Sequence, residues 1–285
     1  MYAEKWDALN RDSYQTPLLE SNFVQPLLRH FGSGHEKLAI YYADNSIRAM
    51  SIVVKVKAGC WSTFQPSQAP IGCWLQVSEI PTKLLAKQLR NKLMFFPLVF
   101  SITQQDPELL TRPIPNKQIT TLDYIATSRI SVTGSFEQYW ASCGNNLRKN
   151  LHKQRNRLKK EQIKAKLIML TSPKGWKQTI NTAVSMTNTQ GQFYTDMLSL
   201  FAQEKRALVF QYWHNDRLAA TDLCILGYNS IVILKTTYDE SIAHYSPALL
   251  MKQEAFEYIF QNQLVERIEF YGKVMEWHTK VSNEL

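Results

Sequence analysis

The stretch "SIVILKTTYDESIAHYSPALLMKQEAF", Ser230 to Phe256, decides how this chain is read. Its first part, "SIVILKTTY", is β-branched and apolar enough for a largely buried strand. "DESIAH" is polar loop chemistry, and Ser246-Pro247 opens a helix, because proline suits the first helical position, where no N–H is needed. A strand thus runs through a loop straight into a helix mouth. The first turn of a helix carries unpaired N–H donors and a partial positive charge, which suits phosphate oxygens.

Upstream, "ALVFQYW" (Ala207 to Trp213) and "RLAATDLCIL" (Arg217 to Leu226) are joined to each other and to that strand by "HND" and "GYN" turns, which makes a three-strand meander. Downstream, "RIEFYG" (Arg267 to Gly272) is a final strand. Before the meander stand a strand, "KAKLIMLT" (Lys164 to Thr171), and a helical region ending in "FYTDMLSLFAQEKR" (Phe193 to Arg206). Further back, Ser135 is placed to N-cap one long helix from Phe136 to about Lys160. On that helix Phe136, Trp140, Leu147, Leu151 and Leu158 fall on one stripe.

The first half contains "KLAIYYA" (Lys37 to Ala43) and "IRAMSIVVKVK" (Ile47 to Lys57), joined by "DNS", a hairpin. "STFQPSQAPIG" (Ser62 to Gly72) is a loop, and "TKLLAKQLRNKL" (Thr82 to Leu93) has leucines at helical spacing. "MFFPLVFSI" from Met94 reads as a buried strand interrupted or edged by Pro97. "LTRPIPNKQ" (Leu110 to Gln118) is a loop, and "LDYIATSRISV" (Leu122 to Val132) is the strand after it. A break at "TGS" divides the chain into units 1–133 and 134–285.

The chain has 285 residues, 45% of them apolar, which is enough for two modest α/β units. Its N-terminus has no apolar signal, and "LMFFPLVF" (Leu93 to Phe100) is too short to span a bilayer, so a cytoplasmic protein is expected. Cys60, Cys73, Cys143 and Cys224 are far apart with no CxxC pair, and the six histidines lack metal spacing, so free thiols and no metal are expected. Hydrolase and NTPase readings find neither a GxSxG nor a P-loop. Net charge is +9, and "LRKNLHKQRNRLKK" (Leu147 to Lys160) holds seven basic residues and no acid. Three readings of that face stand open: a solvated amphipathic face, a contact for an anionic acceptor or cofactor, and RNA.

The order of elements, helix, strand, helices, meander, helix and strand, is that of the GNAT acyltransferases. The chain resembles the CelD/BcsL type of GNAT acetyltransferase, related to the FemAB aminoacyl transferases. The residues that carry the resemblance are "FEQYWASCGNNLRKNLHKQRNRL", "RLAATDLCIL", "KTTYDESIAHYSPALLM" and "RIEFYGKVMEWHTK". The resemblance covers the C-terminal half and, more weakly, the first, where "TFQPSQAPIG" also looks familiar.

It implies an α/β (α+β) fold of tandem GNAT-like domains, each a mixed, mostly antiparallel sheet flanked by helices. It also implies an acyl-CoA-dependent N-acyltransferase, with acetyl-CoA as co-substrate and an amine of a small molecule or sugar/cell-envelope precursor as acceptor. Two alternatives accompany it: a FemAB-like transferase using aminoacyl-tRNA, and a degenerate GNAT that binds an anionic polymer. Oligomeric state stays open.

The resemblance also implies a site. Backbone N–H groups of Lys235, Thr236 and Thr237 would hold the thioester carbonyl. Ser246, Pro247, Ala248, Leu249 and Leu250 would cradle the pyrophosphate, although Ala248 stands where the family usually has glycine. Tyr238 would protonate the thiolate, and Glu269 or Asp222 would be the base, an acid on a buried strand face having a raised pKa. Arg148, Lys149 and Lys153 are candidates for the anionic acceptor.

Overall fold

The computed structural model describes residues 2–93, 98–176 and 187–284. Two units divide it, Met1–Tyr124 and Ile125–Leu285.

The first unit begins with helices α1 (Tyr2–Asp12) and α2 (Ser21–Phe31). The expected hairpin follows as β1 (Lys37–Ala43) and β2 (Ser46–Lys57). Its turn residues Asp44 and Asn45 take φ of 49° and 58°, the left-handed pair that matches strand twist in a two-residue turn. Strands β3 (Cys60–Thr63) and β4 (Trp74–Gln76) both pair with β2, and helix α3 (Thr82–Leu93) leads toward β5 (Val99–Ser101), parallel to β3. The sheet is mixed and mostly antiparallel. Its core sets Trp6 and Leu9 of α1 and Phe23 and Leu27 of α2 with Met50, Val53, Trp74 and Leu75 of the sheet.

Two expectations here need correction. The strand read from "MFFPLVFSI" shrinks to three residues and is not buried, Val99 being 50% exposed; its Met94 to Pro97 portion lies outside the described residues. The strand read over Leu122 to Val132 is only β6 (Ser128–Ser131), with Leu122 84% exposed. A strand lasts only as long as its partner, and β6 pairs with a four-residue strand, β11 (Arg267–Phe270), from Ser128↔Phe270 to Ser131↔Arg267. That pairing puts β6 in the second sheet and in the unit Ile125–Leu285.

The second unit corrects the long helix. A capping box on Ser135 and Gln138 starts α4 (Phe136–Ser142), which stops at Cys143, and α5 (Asn145–Lys160) begins afresh after Gly144. "SCGNN" is the cause: glycine and asparagine favour helix ends over helix interiors. Strand β7 (Ala165–Leu170) follows, then α6 (Asn188–Gln203), whose start is a second capping box on Thr187 and Gln190. The meander forms as read: β8 (Ala207–His214), β9 (Arg217–Gly227) and β10 (Ser230–Tyr238). A 3-10 segment (Glu240–Tyr245) leads to α7 (Pro247–Gln261), then β11, and the chain closes on α8 (His278–Val281).

The sheet order is β6-β11-β10-β9-β8-β7, and only β10 and β11 run parallel. Helices α4, α5 and α7 close one face through Phe136, Leu147, Leu151, Leu158, Leu250, Phe256 and Ile259. Each unit is therefore a mixed, mostly antiparallel sheet flanked by helices, the tandem GNAT-like arrangement. Among the described residues no helix is long and apolar enough to cross a membrane.

Candidate active site

Strands β10 and β11 pair only at Ser230↔Arg267, Ile231↔Ile268 and Val232↔Glu269. Beyond Val232, β10 continues to Tyr238 on β9 alone, with a register shift between Ile233 and Lys235 that leaves Leu234 as the bulged residue. The two strands thus part. Alternate backbone N–H and C=O groups of Leu234 to Tyr238 point to the side that β11 has left, an edge suited to an extended ligand.

The expected residues distribute unevenly around this gap. Lys235, Thr236 and Thr237 lie on the parted edge. Glu269, half-buried, occupies the last shared rung, at the apex. Tyr238 stands at the open end, 48% exposed. Tyr238 is six residue steps along β10 from Val232, roughly 20 Å of extended backbone, so Glu269 and Tyr238 do not meet at one reacting bond.

Asp222 lies opposite Thr236, fully buried, with Oδ2 2.6 Å from Lys252 Nζ of α7. Lys252 also donates to Thr236 Oγ1 at 3.1 Å and lies 5.0 Å from the Trp277 ring and 5.8 Å from that of Phe270. Among the described residues Asp222 Oδ1 has no hydrogen-bond partner. Trp277 stacks on His278, whose Nδ1 accepts from the Met275 N–H. Burial and the nearby Lys252 charge push the His278 imidazole down to about 4, so near neutral pH it is uncharged with its proton on Nε2.

Sequence reasoning missed Lys252, Trp277 and His278. The available signal was a pair of opposite charges, each inside an apolar element: Lys252 between Met251 and Phe256, Asp222 in "AATDLCIL".

At the helix mouth, Ser246 is left-handed (φ 54°) and caps with no side-chain bond. The N–H groups of Leu249 and Leu250 both donate to Ser246 O at 3.1 Å, and Ser246 N–H donates to Ala243 O. With Pro247 lacking an N–H, Ala248 supplies the first turn's one uncommitted donor among the described residues. A pyrophosphate cradle draws on several such donors, and this first turn offers one.

The basic helix borders the same loop. Arg157 pairs with Glu161 at 2.8 Å and covers the Tyr245 ring at 4.9 Å, and Tyr245 OH donates to Glu161. The Tyr245 and Arg157 bonds hold the Glu161 carboxyl below its usual range, and the Glu161 bond raises the Tyr245 phenol. Arg155 bonds Glu254 and Gln253 of α7 at 2.9 and 3.0 Å. Of the acceptor candidates, Arg148 is half-buried and donates back to Cys143 O, whereas Lys149 and Lys153 are exposed, as are Lys159 and Lys160.

Residues 145–279 match the family described as "Acetyltransferase (GNAT) domain". Among solved structures, the chain is similar to FemX, with TM-score 0.58 and 9% identity over 96% of this chain and 88% of that one. The chain has a GNAT/FemABX-related acyltransferase fold. A conserved protein of unknown function from Bacteroides thetaiotaomicron VPI-5482 gives TM-score 0.57 at 11% identity, covering 98% and 92%. L-PGS from Bacillus licheniformis gives 0.53 at 12%, covering 93% and 74%. No curated protein matched by sequence. The GNAT-like architecture of the C-terminal unit is that of an acyltransferase, and the fold does not separate the CelD/BcsL type from FemAB relatives.

Proposed function

We propose that this acyltransferase takes an aminoacyl group from aminoacyl-tRNA and passes it to an amine of a small molecule or glycan precursor. The observation that carries this reading is the helix mouth, where one free backbone N–H stands in place of a phosphate cradle, beside a helix whose lysines face outward. The donor's anionic part then lies on Lys149, Lys153, Lys159 and Lys160, and its 3′ end reaches the parted edge of β10. FemAB-type transferases, relatives of the acetyltransferase type that the sequence resembles, use that donor.

In the reaction, the neutral amine attacks the ester carbonyl, whose oxygen is held by backbone N–H groups around Leu234 and Lys235. The C–N bond forms and the ester C–O bond breaks, the amine proton passing to Glu269 at the apex and from there, through the bound substrates, to the departing 3′ oxygen, which leaves Glu269 ionised again. Tyr238, at the rim, contacts the carrier and not the reacting carbon.

Acyl-CoA is the second reading, favoured by the GNAT family match and by the strand gap, which accepts a thioester on an extended arm. One experiment separates them: thermal shift and radiolabel transfer with charged tRNA, uncharged tRNA, acetyl-CoA and CoA. The aminoacyl reading expects transfer from charged tRNA, with log affinity for RNA falling with log salt at a slope near −3 for about four phosphate contacts. A saturable shift of about 2.7 kcal/mol with acetyl-CoA at 100 times its Kd, and no transfer from charged tRNA, would reverse the order of the readings.

A further inference from the structure

Lys252 is 2% exposed and Asp222 is fully buried, yet both carry charge. A buried ion pair is a poor source of stability, since well-packed apolar side chains of similar volume hold a fold as well or better. Its placement is more telling than its strength. Lys252 touches both banks of the strand gap: Thr236 on β10, past the last rung shared with β11, and the rings of Phe270 and Trp277 at and beyond the end of β11.

An apolar side chain at this position would attract the rings toward β10 by contact alone. The ammonium differs because its bonds have direction: one to Asp222 Oδ2 at 2.6 Å, one to Thr236 Oγ1 at 3.1 Å, with ring faces toward its remaining side. Asp222 is fixed in turn by its place on β9, directly opposite Thr236. The spacing of the banks is therefore set by bonded geometry.

We propose that Lys252 is a positioning residue for acyl transfer, holding the parted strands at a fixed width through Thr236 on one bank and Phe270 and Trp277 on the other, with Asp222 orienting its ammonium. Asp222 is on this account the partner of Lys252 and not the base. The inference rests on the acyl-transfer reading, but not on the identity of the donor.

The test replaces the pair together, Lys252→Met with Asp222→Leu, so that no charge is left buried alone. Thermal melting, kcat and KM are measured with the donor the parent turns over, and hydrogen exchange is followed in the peptide covering residues 233–238. The expected result is a melting temperature at or above the parent's, KM for the donor within threefold, kcat lowered at least 30-fold, and faster exchange in that peptide. A kcat within threefold of the parent, or unchanged exchange, overturns the proposal. Should the double variant not fold, Thr236→Val removes the hydroxyl at little change in volume: a kcat loss of at least fivefold is expected, and parent-like turnover overturns the proposal. Which donor the parent accepts is read separately, so an error about the donor is not mistaken for an error about Lys252.

Discussion

Two ion pairs in the same unit, each with its cation on a helix, show how far position decides what a charge does. Lys252–Asp222 is 2% and 0% exposed at the strand gap, whereas Arg157–Glu161 is 45% and 38% exposed on the basic helix. Water screens the outer pair and replaces either partner readily, so its net contribution is small. Nothing replaces a lost partner in the inner pair. The outer pair with Tyr245 organises a surface loop, and the inner one organises a reaction site.

The contrast breaks or sharpens first on single deletions. Lys252→Ala leaves a buried carboxylate without its cation, and urea unfolding should show a loss of about 3–5 kcal/mol. Arg157→Ala should lose under about 1 kcal/mol, and less still in high salt. Comparable losses at the two sites would erase the distinction.

The next effect is on pH. The folded His278 imidazole titrates near 4 against an ordinary 6.5, so between those values the unfolded chain binds more protons. Stability should be full above pH 6.5 and decline as pH falls toward 4, by on the order of 2–3 kcal/mol. A melting-temperature series on His278→Gln should be flatter over that window, and an identical slope in both proteins would deny that His278 is buried against Lys252.

The smallest effect on stability belongs to the outward lysines. Lys149→Ala with Lys153→Ala should change unfolding free energy by within about 0.5 kcal/mol. The same double variant should make the salt slope of RNA binding shallower by about 1.5, two phosphate contacts' worth. An unaltered slope would place those lysines with the solvated face.

What was legible in the sequence was local. The β1–β2 hairpin and the β9–β10 turn could be read because Asp44-Asn45 and Tyr228-Asn229 take the positive φ that such turns need. The starts of α4 and α7 were written in Ser135 and Pro247. Averaging hydrophobicity around a helix concealed the stop at Gly144, since a wheel sees faces and not interruptions. The strand over Leu122 to Val132 failed for a different reason: its length depended on β11, far away in the chain. At the site, the parted edge and the basic face could be located, but Lys252 could not. Its role arises from a meeting with Asp222, thirty residues earlier, and Trp277, after β11. Nor could the sequence reveal that Leu249 and Leu250 commit their N–H groups to Ser246, which leaves the mouth with so little to offer a phosphate.

The bulge at Leu234 has a consequence for sidedness. Ile231 and Ile233 face the helices, so strict alternation would turn residue 235 the same way and bring its ammonium toward that of Lys252. The extra residue inverts the parity. Thr236 takes the inward place instead, opposite Asp222, and Lys235 pairs with Leu223 on the other face. One unpaired residue thus acts as a phase shift in the strand: flattening the bulge, with Leu234 kept and paired in the ladder, would exchange every side chain from Lys235 to Tyr238 between the two faces of the sheet and set two like charges where a hydroxyl now meets a lysine, whereas deleting Leu234 would leave them on their present faces.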